Sequence, residues 1–208
     1  MRIKRDSTAG SLVELIAVIA AAVGIALLVQ EFLVKPYRIP SGSMQPTLQI
    51  GQRVLVNRLG ERFSPPAVGD IVVFHPPTGA DTSQCGDPGQ GPFYDGPRSR
   101  FPCDRPTAKQ SSNTFIKRVV AGPGDTISVK GGLAVVNGKL QSAPYTAPCG
   151  GGSECDLGPI TIPPGHWFMM GDNRGQSDDS RFWGPVPEGW IIGTAFATYW
   201  PPNRIGTL

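Results

Sequence analysis

Residues 15 to 29, "LIAVIAAAVGIALLV", run without a polar side chain, and no other stretch limits the possible folds of this chain so sharply. Leu12 to Val34 extends the run, interrupted only by Glu14, Gln30 and Glu31. As a helix rising about 1.5 Å per residue, it covers roughly 34 Å, enough for a hydrocarbon core of about 30 Å. Arg2, Lys4 and Arg5 precede it with Asp6 to oppose them, a balance that favours an N-terminus on the cytoplasmic side; Lys35 and Arg38 on the far flank weaken the bias. A cleaved leader shares the basic start and the apolar run. Its core is usually about 7 to 15 residues, however, and a small-x-small site should follow; none does before the folded domain begins. The favoured organisation is a short cytoplasmic N-terminus (1–11), a single transmembrane anchor (12–34) and an extracytoplasmic domain (35–208).

Gly 27 and Pro 22 make up about a quarter of the 208 residues, a level at which disorder becomes a concern. They cluster at about 76–112, and the flanks read as folded strands. "RVLVN" (53–57), "DIVVF" (70–74), "TFIKRVV" (114–120), "DTISV" (125–129), "LAVV" (133–136), "HWFMM" (166–170) and "WIIGTAFATYW" (190–200) are short runs of β-branched and aromatic residues. Asn137-Gly138 marks a two-residue hairpin turn. No segment after Val34 sustains a helical period, so the expected fold is mainly β with a Gly/Pro-rich insertion at 76–112. A net charge of +3, from 19 Lys+Arg against 16 Asp+Glu, is too mild and scattered for a nucleic-acid partner.

Cys85, Cys103, Cys149 and Cys155 suit a disulfide-permissive compartment. Of the three possible pairings, Cys85–Cys103 and Cys149–Cys155 close the shortest loops and are favoured on loop-closure entropy. Neither spacing is that of a zinc site and no His lies near, so no metal and no cofactor are expected.

Three stretches carry candidate chemistry. "IPSGSMQPTL" (39–48) sets Ser41 and Ser43 on a glycine turn just past the apolar run. By itself such a serine is a turn residue, and its hydroxyl is a weak nucleophile unless a base removes the proton. The possible bases are His75, His166 and Lys117. Lys117 sits in "TFIKRVVAGPGD", where a period of two places it on one face with Phe115 and Val119. A lysine there either snorkels at an edge or is desolvated, and desolvation lowers its pKa toward that of a usable base. The third stretch, "MMGDNRGQSDDSRFWGPVP" (169–187), reads alone as a polar loop.

Together, "IPSGSMQPTL", "GQRVLVN", "FIKRVVAGPGD" and "GDNRGQSDDSRFWGPVP" resemble, in order, the sequence boxes of bacterial type I signal peptidases, membrane-bound Ser/Lys peptidases, over residues of about 12 to 200. The resemblance implies a β-rich domain of two antiparallel sheets behind one anchor. It implies Ser43 as nucleophile, Lys117 as general base, Ser41 with the Ser43 N–H as oxyanion hole, and Ser177 as the group that orients the Lys117 amine. Asp179 and Arg181 fall where the family has an ion pair near the site, and Ile39 and Ile116 where it lines shallow pockets for small side chains. The expected activity is cleavage of signal peptides from exported preproteins after small residues of the Ala-x-Ala type, by a monomer resting on the lipid bilayer. Gly175-Gln176 and the single anchor depart from some relatives without touching a catalytic position. Met44, Pro46 and Leu48 are expected to add an apolar rim at the membrane surface. The alternatives are a Ser/His hydrolase using Ser43, His166 and Asp172, and a tethered β-domain that binds without chemistry.

Overall fold

The computed structural model describes residues 8–58 and 64–208, with the side chains of 8–10 and 26–32 outside that description. A helix, α1 (Thr8–Phe32), leads after one residue into strand β1 (Val34–Arg38). Leu12, Val13, Leu15, Ile16, Val18 and Ile19 are all more than half exposed along it. Among the described residues no helix is long and apolar enough to cross a membrane. Arg2, Lys4, Arg5 and the side chains of Gln30 and Glu31 lie outside the described residues.

The rest is β-rich, as the runs of β-branched residues require. The further strands are β2 (Arg53–Asn57), β3 (Ile71–Phe74), β4 (Phe115–Ala121), β5 (Thr126–Lys130), β6 (Leu133–Val136), β7 (Lys139–Leu140), β8 (Leu157–Thr161), β9 (His166–Met170), β10 (Val186–Pro187), β11 (Ile191–Trp200) and β12 (Gly206–Thr207). The large sheet is ordered β1-β2-β11-β3-β4-β9-β10 with β12 on β11, and the small sheet β7-β6-β5-β8. Every pairing between these strands is antiparallel. Asn137 (φ 51°) and Gly138 (φ 77°) form the expected left-handed turn between β6 and β7.

Both faces of the large sheet are covered, which is why β3 reads "IVVF" without alternation and is buried throughout. Ile71 and Val73 pack on one face with Ile39, Met44, Leu48 and Ile116. Val72 and Phe74 pack on the other with Val119, Met169 and Trp183. A third cluster joins the sheets, Val120, Phe168 and Met170 meeting Ile127, Val129 and Leu157. Each such side chain contributes about 1.5–3 kcal/mol relative to exposure. Ile39, beyond the end of β1, and Ile116, on β4, share the first cluster although three strands separate β1 from β4. The sheet therefore curls, bringing its β1 end round toward β4.

The insertion at 76–112 is irregular but tied down. Cys85–Cys103 and Cys149–Cys155 are bonded, the pairing favoured by loop length. His75 Nδ1 lies 2.9 Å from the Asn113 carbonyl, and Thr78 N–H donates to the Lys109 carbonyl (2.9 Å), closing the base of the insertion. Phe93 stacks on Phe182 at 5.0 Å, on a short helix α2 (Ser180–Trp183) that the missing helical period did not announce.

Candidate active site

The turn that carries Ser41 and Ser43 is held from both sides. Ser41 is extended and Gly42–Met44 form a 3-10 turn, with Leu48 N–H donating to the Met44 carbonyl (2.9 Å). Met44 and Leu48 are fully buried, in the cluster with Ile39 and Val54. This corrects the expected apolar rim: the turn points both side chains inward, where they fix Ser43, and Pro46 and Ile50 remain outside. On the opposite side, Asn173 N–H donates to the Ser43 carbonyl (3.0 Å) and its side-chain amide to the Gly42 carbonyl (3.2 Å). Thr47 donates to Asp172 (2.5 Å), which also accepts from Arg118 Nε (2.9 Å) and Nη2 (2.7 Å). A Cβ on Gly171 would sit 2.2 Å from Ser177 Oγ and 2.5 Å from the Ser43 carbonyl, so only glycine lets this loop approach the turn.

Lys117 lies opposite Val72 in the middle of the sheet and is 4 % exposed. The alternation read from the sequence holds: its Nζ is 5.7 Å from the Phe115 ring, and Val119 lies in the core on the same face. Nζ is 2.7 Å from Ser43 Oγ, and the Ser41 hydroxyl donates to that oxygen at 3.3 Å. Burial pushes the Lys117 ammonium down to about 8; the Asp179 and Asp178 carboxylates oppose the shift and the Arg181 guanidinium adds to it. At pH 7 roughly a tenth of the amines are then neutral, against a few in ten thousand for a free lysine.

Asp179 and Arg181 form a fully buried pair at 2.8 Å. Asp179 also accepts from the N–H groups of Gly171 (3.1 Å) and Arg181 (3.2 Å). Arg181 and these bonds hold the Asp179 carboxyl below its usual range although burial alone would raise it. Ser177 is also buried beside this pair, but among the described residues its hydroxyl has no hydrogen-bond partner, so the expected bond to the Lys117 amine is not formed.

Ser41, Ser43 and Lys117 open onto a cleft of about 420 Å³, bounded by Tyr37–Ser41 on one side and Thr114–Lys117 on the other, with Ile39 and Ile116 in its floor. Strand β9 covers only part of β4. Its pairing begins at Arg118↔Met170, so among the described residues no strand pairs with Phe115–Lys117 on that side. That leaves an unpaired stretch of sheet edge beside Ser43.

Neither histidine lines the cleft. His166 stands at the far end of β9 with Nδ1 2.8 Å from the Pro164 carbonyl, and Asp172 is engaged by Arg118 and Thr47, so the Ser/His alternative is not assembled. Cys149, Glu154 and Cys155 lie close enough to hold a metal, but the two sulfurs are bonded to each other and offer no thiolate. Asn173 and Gly171 were missed as functional residues by sequence reasoning. Their only signal is membership of the dense polar stretch after β9, where each reads singly as a turn former.

The chain matches the family model described as "Signal peptidase, peptidase S26" over residues 12–200. It is 36 % identical over 203 residues to signal peptidase I of Leptolyngbya laminosa, covering 95 % of this chain and 84 % of that one. It is 37 % identical over 196 residues to the probable signal peptidase I-1 of a Synechocystis strain (94 % and 86 %). It is 33 % identical over 230 residues to signal peptidase I of Mycobacterium tuberculosis (93 % and 73 %).

Proposed function

The chain belongs to the signal peptidase family, peptidase S26, whose activity is cleavage of signal peptides, and from that premise we propose that it is a membrane-anchored endopeptidase using Ser43 as nucleophile and Lys117 as general base. The observation that carries the reading is the 2.7 Å approach of a buried Lys117 Nζ to Ser43 Oγ, with burial holding the ammonium near 8. In the neutral form the amine accepts the Ser43 proton as Oγ attacks the carbonyl carbon of the scissile bond. The resulting oxyanion is held by the Ser43 N–H and the Ser41 hydroxyl. The Lys117 ammonium then gives its proton to the leaving amine, the C–N bond breaks, and an ester to Ser43 remains. A water that loses a proton to Lys117 attacks the ester, and Ser43 recovers its proton as the acid product leaves.

The substrate pairs as an extended strand with the unpaired part of β4, its side chains alternating between faces. Two that turn toward Ile39 and Ile116 must be small, the requirement of an Ala-x-Ala site. Residues 12–34 anchor the enzyme, and 35–208 carry the catalysis outside the cytoplasm. The exposed apolar residues along α1 support this, because a contiguous apolar surface of that extent needs a covering, and lipid supplies one. The test is incubation with an exported preprotein and sequencing of the new N-terminus; cleavage elsewhere than after a small residue, or none, would overturn the reading.

Two further results are expected. Activity rises with pH along a limb near 8, because the working amine is the unprotonated one and protonation below that pH removes it. A kcat/KM profile from pH 6 to 10 checks this, and a limb at the free-lysine value would argue against a buried base. Ser41→Ala lowers kcat by about 10²–10³-fold, the usual effect of losing one oxyanion donor. A loss within twofold would remove Ser41 from that role.

A further inference from the structure

The insertion at 76–112 reaches the cleft. Asp81, in its first turn, lines the cleft, and so does Asp178 of the loop after β9. Ser83 donates to Asp178 Oδ1 at 2.6 Å, so the insertion also sets the position of that second carboxylate. Both acids are exposed, with no Lys or Arg salt bridge among the described residues. Ala80, next to Asp81, is buried in the cluster with Val72, Val119 and Phe115, and Asp178 is bonded to the same turn through Ser83, which places both acids on the Lys117 side of β4, away from the Ile39 and Ile116 floor. Phe115 lines the cleft and lies on that same face, its ring 5.7 Å from Lys117 Nζ. The wall the insertion helps to build is therefore two carboxylates beside an aromatic ring, a composition suited to a cation. Arg38 lines the opposite wall, on the β1 side.

A strand paired with β4 turns alternate side chains to opposite faces. If the two small residues of the site face Ile39 and Ile116, the residue between them faces Phe115, Asp81 and Asp178. We propose that Asp81 and Asp178 are specificity-determining residues of this enzyme, and that the insertion tunes the cleft to favour a Lys or Arg between the two small residues of the cleavage site. This rests on the catalytic reading above and adds to it a preference at a position that small pockets leave unrestricted.

The experiment uses full-length protein in detergent micelles and substrates that differ only at the middle residue of the Ala-x-Ala site. In the wild type, kcat/KM with x = Lys exceeds that with x = Ala about three- to tenfold, and x = Glu falls below both, the scale of exposed charge contacts. The Lys-to-Ala ratio shrinks as salt rises, since the acids are solvated. In the Asp81→Asn, Asp178→Asn double variant the ratio collapses toward one, and in Asp178→Lys the order of Lys and Glu inverts. Ratios are taken within each variant, so a change in overall rate through Lys117 cancels. A wild type that cuts all three substrates equally, or a double variant that keeps the Lys preference, overturns the proposal while leaving the catalytic reading intact. A wild type that cuts none of them overturns the catalytic reading and this one with it.

Discussion

Ser43→Ala is expected to lower preprotein cleavage by on the order of 10⁴- to 10⁶-fold, and Lys117→Ala by a similar factor, with the double variant little worse than either. The reason is that in the proposed mechanism the two side chains act as one unit. Oγ without a base within reach remains a neutral hydroxyl, and an amine without Oγ has nothing to activate. Lys117→Arg is not expected to rescue, because a guanidinium stays charged where a neutral acceptor is needed. Single-turnover cleavage of one preprotein by each variant measures this, with circular dichroism to show that the sheets persist. Residual activity within a hundredfold of wild type in either single variant would sink the Ser/Lys pair.

Arg181→Ala is expected to cost about 3–5 kcal/mol of stability, the penalty for stranding one member of a buried ion pair. Asp179 is fully buried and takes two hydrogen bonds from the guanidinium, at 2.8 and 2.9 Å. The same guanidinium donates to the Arg174 carbonyl at 2.7 Å and the Glu154 carbonyl at 3.3 Å, so its loss also leaves carbonyls unpaired. For a domain of this size the melting temperature should fall by roughly 10 °C or more. The Asp179→Asn, Arg181→Met double variant should recover much of the loss, since no buried charge remains. Thermal melts of the three proteins decide it, and an Arg181→Ala melt within 2 °C of wild type would show that the pair contributes little.

Most of the sheet was legible because its strands carry their own chemistry. "RVLVN", "LAVV" and "HWFMM" became β2, β6 and β9 without a shift in boundary. The two longer strands that escaped, β1 (VKPYR) and β8 (LGPIT), both contain proline and both lie at sheet edges, where a missing N–H costs no ladder bond but the strand signal is lost. The helix α2 has four residues, too few for a period to show. Within the site, the alternation with Phe115 and Val119 gave the face that Lys117 takes but left open whether its amine snorkels at an edge or is buried. The resemblance paired it with Ser43. The grip of Asn173 on Gly42 joins positions 131 apart, and no local pattern reports such a contact. The inward turn of Met44 and Leu48 was missed for a related reason: which way a short turn rotates its side chains is decided by the core it meets.

With the substrate paired along β4 as proposed, the gap in the ladder beside Phe115–Lys117 also works as a filter on conformation. Its unspent N–H and C=O groups can be answered only by a chain whose own are unspent. A helix has turned its backbone groups on itself, and a finished domain has paired most of its own. A mature protein that has folded therefore presents nothing this edge can hold, however many Ala-x-Ala triplets it contains. On the proposed binding mode the bond that is cut must lie in a segment still extended when it arrives, so the moment of cleavage is set by the folding state of the passenger as much as by its sequence.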